Sequence, residues 1–171
     1  MRTAIFRISL VLVVVSTAAL IGVRLAAQDV PPAVMACISD GTKVGHTYLH
    51  HSDPTKLADA VRIYQARTPD AEYPEGTVFR LIPGEAMVKR TRAAFPDSNG
   101  WEYFALTVNA EGTTVRARGN EAANGLGTCQ SCHSGAAKSD YVCSAGSGCA
   151  PVPLTEERIA QIQKNDPRCQ K

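Results

Sequence analysis

The sequence predicts an α+β domain, mainly antiparallel β-sheet with a few helices, carrying a CxxCH segment late in the chain. Two stretches of aromatic and branched residues, Trp101 to Val108 (WEYFALTV) and Thr113 to Arg118 (TTVRAR), flank the short glycine-containing loop NAEG, which is the pattern of a β-hairpin. A third stretch, Gly76 to Ile82 (GTVFRLI), is rich in β-formers and stops at Pro83-Gly84, so it reads as a strand followed by a turn. Helical signals are confined to two segments on either side of these strands.

The chain opens on MRTAIFRISLVLVVVSTAALIGVRLAAQ. Arg2 and Arg7 form a basic start, Ile8 to Val23 is almost wholly apolar, and Ala26-Ala27 supplies small residues near a cut, which is the layout of a secretory signal over residues 1–27. Arg24 and Leu25 suit a cleavage site poorly, so the same segment also reads as an uncleaved N-terminal anchor. Either way the remainder, residues 28–171, is expected to be periplasmic or otherwise exported, and to form a single domain.

Gln28 to Pro32 reads as a linker, with the domain proper beginning near Cys37. Asp53-Pro54 is a helix start, a capping acid before a proline at the first helical position. Leu57, Val61 and Tyr64 then fall on one helical face, although Val61 to Tyr64 also suits the start of a strand. After the predicted strands, Gly125 and Gly127 lead into CQSCH, and SAGSGCAPVP reads as an irregular loop pinned by its cysteines. Thr155 to Gln163 (TEERIAQIQ) is a short helix with acids in its first turn, where they suit the helix dipole. No internal repeat or low-complexity tract is present.

The 171 residues carry a formal net charge of +2, and the leader holds three arginines and no acid, which leaves the remainder close to neutral. With no basic run and few aromatics, nucleic acid is excluded as a partner. Six cysteines in an exported chain point to disulfides. Cys37, Cys143, Cys149 and Cys169 fit that role in any of three pairings, of which Cys143 with Cys149, and Cys37 with Cys169 as a terminal clasp, are favoured. Cys129 and Cys132 remain for something else.

CQSCH, Cys129 to His133, admits three chemistries. C-x-x-C-H is the attachment signature of one covalently bound haem c. Residues three or four apart share a helical face, so both sulfurs meet the haem vinyl groups while the adjacent histidine reaches the iron. Cys129 and Cys132 would form the thioethers and His133 would be the proximal metal ligand. Its second ring nitrogen would need an acceptor, a backbone carbonyl or a carboxylate. A zinc site would recruit Cys143 and Cys149 as further thiolates, and a thioredoxin-like dithiol would need a βαβ unit that the chain does not display. A structural disulfide across two residues is strained. Haem attachment is the reading the pattern favours.

Only 38 residues follow His133, and none is methionine, which excludes the arrangement of small electron carriers with a late methionine ligand. The strands do not suit the four-helix cytochromes c′. YPEGTVFRL (Tyr73 to Leu81), NGWEYFAL (Asn99 to Leu106) and CQSCH followed by AAKSDYV (Ala136 to Val142) resemble the cytochrome P-460 family, which includes the cytochromes c′-β. The resemblance covers roughly the second half of the exported part. It implies a mainly antiparallel sheet and a five-coordinate c-haem whose open face binds small nitrogen oxides. Some members oxidise hydroxylamine, and others only bind gases such as nitric oxide or carbon monoxide. The oxidising members carry a lysine bonded to the haem edge, and here that position is Leu81. Lys89 is the nearest substitute, beyond Pro83-Gly84. Cys143 and Cys149 also set this chain apart.

For the open face the large candidates are Phe79, Leu81, Trp101, Tyr103 and Phe104, whose plainer role is core packing. Polar candidates are Arg80, Glu85, Glu121 and Asn124, otherwise surface groups. His46, His50 or His51, or else Met87, would instead fill the sixth iron position and make an electron-transfer cytochrome with a six-coordinate haem. The expected function is a mono-haem c-type cytochrome that binds or redox-transforms a small nitrogen-containing ligand of the nitric oxide or hydroxylamine class. Expected partners are that ligand, a redox partner protein and, as an option, a second copy of the chain. Hydroxylamine oxidoreductase activity hinges on the lysine that Leu81 replaces.

Overall fold

The computed structural model describes residues 29–170. The leader read at residues 1–27 lies outside the described residues. Six strands form one antiparallel sheet in sequence order: β1 Thr42–Val44, β2 Thr47–His50, β3 Val78–Arg80, β4 Glu85–Lys89, β5 Trp101–Asn109 and β6 Gly112–Arg118. The α+β class is therefore correct. Four helices complete the frame, α1 Pro32–Met35, α2 Pro54–Ala66, α3 Cys129–His133 and α4 Glu156–Lys164, and the two-residue strands β7 Ala123–Asn124 and β8 Gly127–Thr128 form a small separate hairpin. Among the described residues no helix is long and apolar enough to cross a membrane.

Local chemistry accounts for the helices. The Asp53 carboxylate accepts from the amides of Thr55 and Lys56, and Pro54 opens α2, so the helical reading prevails over a strand at Val61 to Tyr64. Thr155 caps α4 in the same manner, with Glu156 and Glu157 in its first turn.

Successive strand residues point to opposite faces, and the register sorts them. Phe79 opposes Met87, which opposes Tyr103, and with Leu49, Trp101 and Ala105 they form one face. Ala60 and Ile63 of α2, Tyr73, Ala122 and Val142 close over it. The Phe79 ring meets Tyr73 at 5.0 Å and Trp101 at 5.7 Å, both edge to face. On the opposite face, Val78, Ala86, Val88, Phe104 and Leu106 pack against Val34 of α1.

Four features differ from the sequence reading. The domain begins at α1, before Cys37, because Val34 is fully buried on the sheet (0% exposed). The hairpin β1–β2 is too short and polar to show a period-two pattern. In β4, Ala86 to Lys89 are all buried because the sheet is covered on both sides, which erases the alternation expected of a half-exposed strand. The strand read at Gly76 to Ile82 is confined to Val78–Arg80, with Leu81 and Ile82 in the turn.

Both favoured disulfides are present, Cys37–Cys169 and Cys143–Cys149. Beside the first, fully buried Asp166 accepts from the Ile38 amide and from Arg168, whose guanidinium also reaches the Val34 and Pro83 carbonyls. The segments at the two ends of the described residues are thereby locked to each other beneath the α1 face.

Candidate functional site

Chemistry concentrates on the α2 face, at the end of the sheet that α2 leaves uncovered. The hairpin β7–β8 delivers the chain to α3, and the Thr128 hydroxyl caps this helix by accepting from the Ser131 amide at 3.2 Å. The Cys129 amide donates to the Ala122 carbonyl at 2.9 Å, which ties the helix start to the core. Within α3 the spacing puts Cys129, Cys132 and His133 on neighbouring positions of one face. Both thiols are free and half-buried, and Cys129 packs against the aromatic cluster.

His133 Nδ1 lies 2.7 Å from the Tyr141 carbonyl oxygen. A carbonyl only accepts, so Nδ1 carries the proton and the lone pair is on Nε2. Burial lowers the His133 pKa, opposed by the Tyr141 bond and the Glu85 charge, so the ring is neutral near pH 7 as a metal ligand must be. The Tyr103 ring packs on this imidazole, centroids 5.1 Å apart. Tyr103 is 2% exposed, its hydroxyl has no hydrogen-bond partner among the described residues, and burial pushes its pKa up.

The Tyr141 carbonyl is placed by Asp140, a residue the sequence reading passed over. Its carboxylate accepts from Lys89 Nζ at 2.7 Å on both oxygens, from Asn99 Nδ2 at 2.6 Å and from the Tyr73 amide at 2.9 Å. Its own carbonyl accepts from the Trp101 indole at 2.6 Å. Lys89 and Asp140 are 5% and 2% exposed, a buried ion pair satisfied on all sides. Tyr73, Asn99 with Trp101, and Asp140 belong to the three segments on which the family resemblance rests, and they meet here. A lone lysine ending the apolar run of β4 was the signal available for this latch.

The remaining candidates separate by face. Phe79, Met87, Trp101 and Tyr103 lie on the face of α3. Phe104 is on the other, beneath the Arg118 guanidinium, and Arg80 is there too, donating to the Ala36 and Cys37 carbonyls. Leu81 is in the turn, its carbonyl held by Gln163. Glu85, bonded to Asn124 at 2.8 Å, is near enough to act on both Cys129 and His133. Glu121 is exposed in the turn before β7. Of the histidines, His50 sits on β2 rather than in a loop and accepts from Arg80 on the far side of the sheet. His51 is held by the Glu75 carbonyl and the Asp53 amide, and His46 faces Glu156.

Burial and the nearby Glu85 charge push the Cys129 thiol up to about 11, the opposite of the lowered pKa that makes a reactive thiolate. The Cys143–Cys149 bond removes the two thiolates that a four-cysteine zinc site would recruit. Among the described residues no group of three or more His, Cys, Asp or Glu side chains could hold a metal ion. Cys129 and Cys132 remain as free thiols beside the neutral His133 imidazole. Compared with known proteins, the chain matches no family model, no curated protein and no solved structure.

Proposed function

We propose that the chain is an exported mono-haem c-type cytochrome of the P-460 or c′-β kind, whose open haem face binds or redox-transforms a small nitrogen-containing ligand of the nitric oxide or hydroxylamine class. Cys129 and Cys132 would hold the haem by thioethers and His133 Nε2 would ligate its iron. The observation that carries this reading is the Nδ1–H bond of His133 to Tyr141, which fixes the tautomer that leaves Nε2 available. Two further observations support it. Four cysteines are closed in disulfides while the two of the motif stay free, and the buried Tyr103 hydroxyl beside His133 lacks a partner among the described residues. The disulfides also support an oxidising compartment.

A bound haem would supply iron coordination and one-electron redox chemistry at this place. The chain's own residues orient His133, keep its proton on Nδ1 and pack the Tyr103 ring against its imidazole, with Phe79 and Trp101 in the core behind. An open sixth position is favoured because His46, His50 and His51 are each engaged elsewhere, His50 across the sheet. The rival reading, an electron-transfer cytochrome with a six-coordinate haem, retains Met87 as its ligand. Lys89 donates to Asp140 and to the Asn99 carbonyl, so it is committed to the latch rather than to a haem cross-link, and ligand binding is favoured over hydroxylamine oxidation. A redox partner protein would exchange electrons with the haem, and a second copy of the chain is a further candidate partner.

The test is the visible spectrum of protein made with the haem-attachment machinery, before and after dithionite and then with carbon monoxide. A high-spin ferrous spectrum that changes at once with carbon monoxide is expected. A low-spin spectrum indifferent to the gas transfers the assignment to the electron carrier, with Met87→Ala the variant that should open it. No haem band overturns the proposal.

A further inference from the structure

The outer nitrogen of His133 faces a disulfide as well as a carbonyl. Cys143 Sγ lies 3.6 Å from Nδ1, on the same side as the Tyr141 oxygen. Because Cys143 is bonded to Cys149, this sulfur has no proton and serves only as a weak acceptor, leaving the carbonyl as the main partner.

That carbonyl stands in an uncommon stretch of backbone. Asp140 and Tyr141 both have positive φ, 49° and 60°, and two consecutive non-glycine residues in the left-handed region persist only where their surroundings hold them. On the N-terminal side the hold is the Asp140 latch. On the C-terminal side it is Cys143, two residues beyond Tyr141, whose bond to Cys149 closes a loop of sequence separation 6.

This loop rests on the segment that follows the motif. A Cβ on Gly135 would lie 2.4 Å from the Gly148 carbonyl oxygen, and a Cβ on Gly148 would lie 2.4 Å from the Gly135 oxygen. The two backbones thus touch where neither residue tolerates a side chain, and Gly135 is only two residues past His133. The disulfide loop, the Tyr141 carbonyl and the histidine form one closed ring of contacts.

The geometry points to the Cys143–Cys149 disulfide as the positioning group of His133, holding the Tyr141 carbonyl against Nδ1 and so setting how strongly the imidazole donates to iron. This inference rests on the haem reading above. Neither the attachment motif nor the family resemblance calls for these cysteines. A firm Nδ1–H bond makes the ring a more basic ligand and favours ferric over ferrous iron. Releasing the loop weakens that bond and shifts the equilibrium toward the ferrous state.

The experiment compares full-length holoprotein in three forms: unaltered, C143S/C149S, and C37S/C169S as a control that removes the other disulfide on the far face. Covalent haem is measured by intact mass, the midpoint potential by redox titration, and the iron–histidine stretch of the ferrous form by resonance Raman. Expected is retained haem in all three. C143S/C149S should move the one-electron equilibrium toward ferrous by roughly tenfold, about 59 mV, and lower the stretching frequency, while the control loses thermal stability and alters neither readout. Should C143S/C149S not fold, G148A is read in its place. It keeps both sulfurs but intrudes on the Gly135 carbonyl, and a smaller shift of the same sign is expected. Haem-bearing C143S/C149S, or G148A read in its place, with unaltered potential and stretch overturns the inference, as does an equal shift in the control. Unaltered protein without covalent haem overturns the haem reading first and this inference with it.

Discussion

The two faces of the sheet are built to different ends. Beneath α1, buried carboxylates are paired within the chain: Glu102, 1% exposed, accepts from Arg90 at 2.9 Å and Arg118 at 2.6 Å, and Asp166 pairs with Arg168 beside Cys37–Cys169, while Arg80 Nε is buried there without a hydrogen-bond partner among the described residues. On the α3 face the same sheet carries an orphaned phenol, two free thiols and a histidine whose proton is fixed away from its lone pair. Groups left unmatched in a core cost free energy, roughly 1–3 kcal/mol for a buried donor without a partner. One such atom lies on each face, Arg80 Nε beneath α1 and the Tyr103 hydroxyl beside His133, so what sets the α3 face apart is its two free thiols and its neutral imidazole. The other face stabilises it.

That division can be broken from either side. The largest effect belongs to the α3 face: H133A, or C129A with C132A, should abolish the spectrum of a covalently held, histidine-ligated haem, read by absorption and intact mass, while C37S/C169S should leave it in place. On the other face, opening Cys37–Cys169 frees a span of 132 residues in the unfolded chain and should cost about 5 kcal/mol on the chain-entropy account, measured by denaturant unfolding. If haem attachment fails equally in that variant, the division between faces is wrong.

Next in size is Lys89→Met, which leaves the Asp140 carboxylate buried without its cation and should cost about 3–5 kcal/mol in the same measurement. A loss below 1 kcal/mol would mean that the latch contributes little. Acid sharpens the comparison further. Burial first, then Arg80, lower His50 to about 4, so between pH 6.5 and about 4 the unfolded chain binds a proton that the folded chain refuses. Stability should therefore fall as pH drops through that window, and His50→Gln should flatten the slope of unfolding midpoint against pH. The smallest effect tests the orphan: Tyr103→Phe should stabilise haem-free protein by up to about 1 kcal/mol, since it removes an unmatched hydroxyl. The same change should cost stability once haem is attached, if the hydroxyl finds its partner there. A loss in the haem-free form would show that the phenol is already satisfied.

How far the sequence could be read follows the same physics. The hairpin of β5 and β6 and the starts of α2 and α4 rest on local rules, and they were legible, whereas the disulfide pairing was only favoured among three because Cys37 and Cys169 stand 132 residues apart. β4 was not, because a strand buried on both sides shows no alternation, and β1–β2 is too short to show any. At the site, CQSCH suggested haem attachment, and the expected acceptor on the second histidine nitrogen is present as the Tyr141 carbonyl. Which carbonyl it would be was not legible. Tyr141 lies only eight residues from His133, but its orientation depends on Lys89, Asn99 and Trp101, and no periodicity connects those to the motif. Phe104 shows the converse: as large and apolar as its neighbours on β5, it lies on the far face because register alone decides the side.

By itself the sequence determined the class of fold, favoured the disulfide pairing that exists, and marked Cys129, Cys132 and His133 as the candidates for attachment and ligation. The fold class and the motif are written in residue type and short-range spacing, which act before the chain is folded, whereas Cys37–Cys169 joins residues 132 apart. The tertiary structure decided which face the motif serves, that Lys89 is bound in a buried ion pair, that His50 stands across the sheet, and that a disulfide abuts the outer nitrogen of His133. Those are contacts between segments far apart in the chain, or turns held by them. They exist only once the sheet has set its register and both faces have been covered.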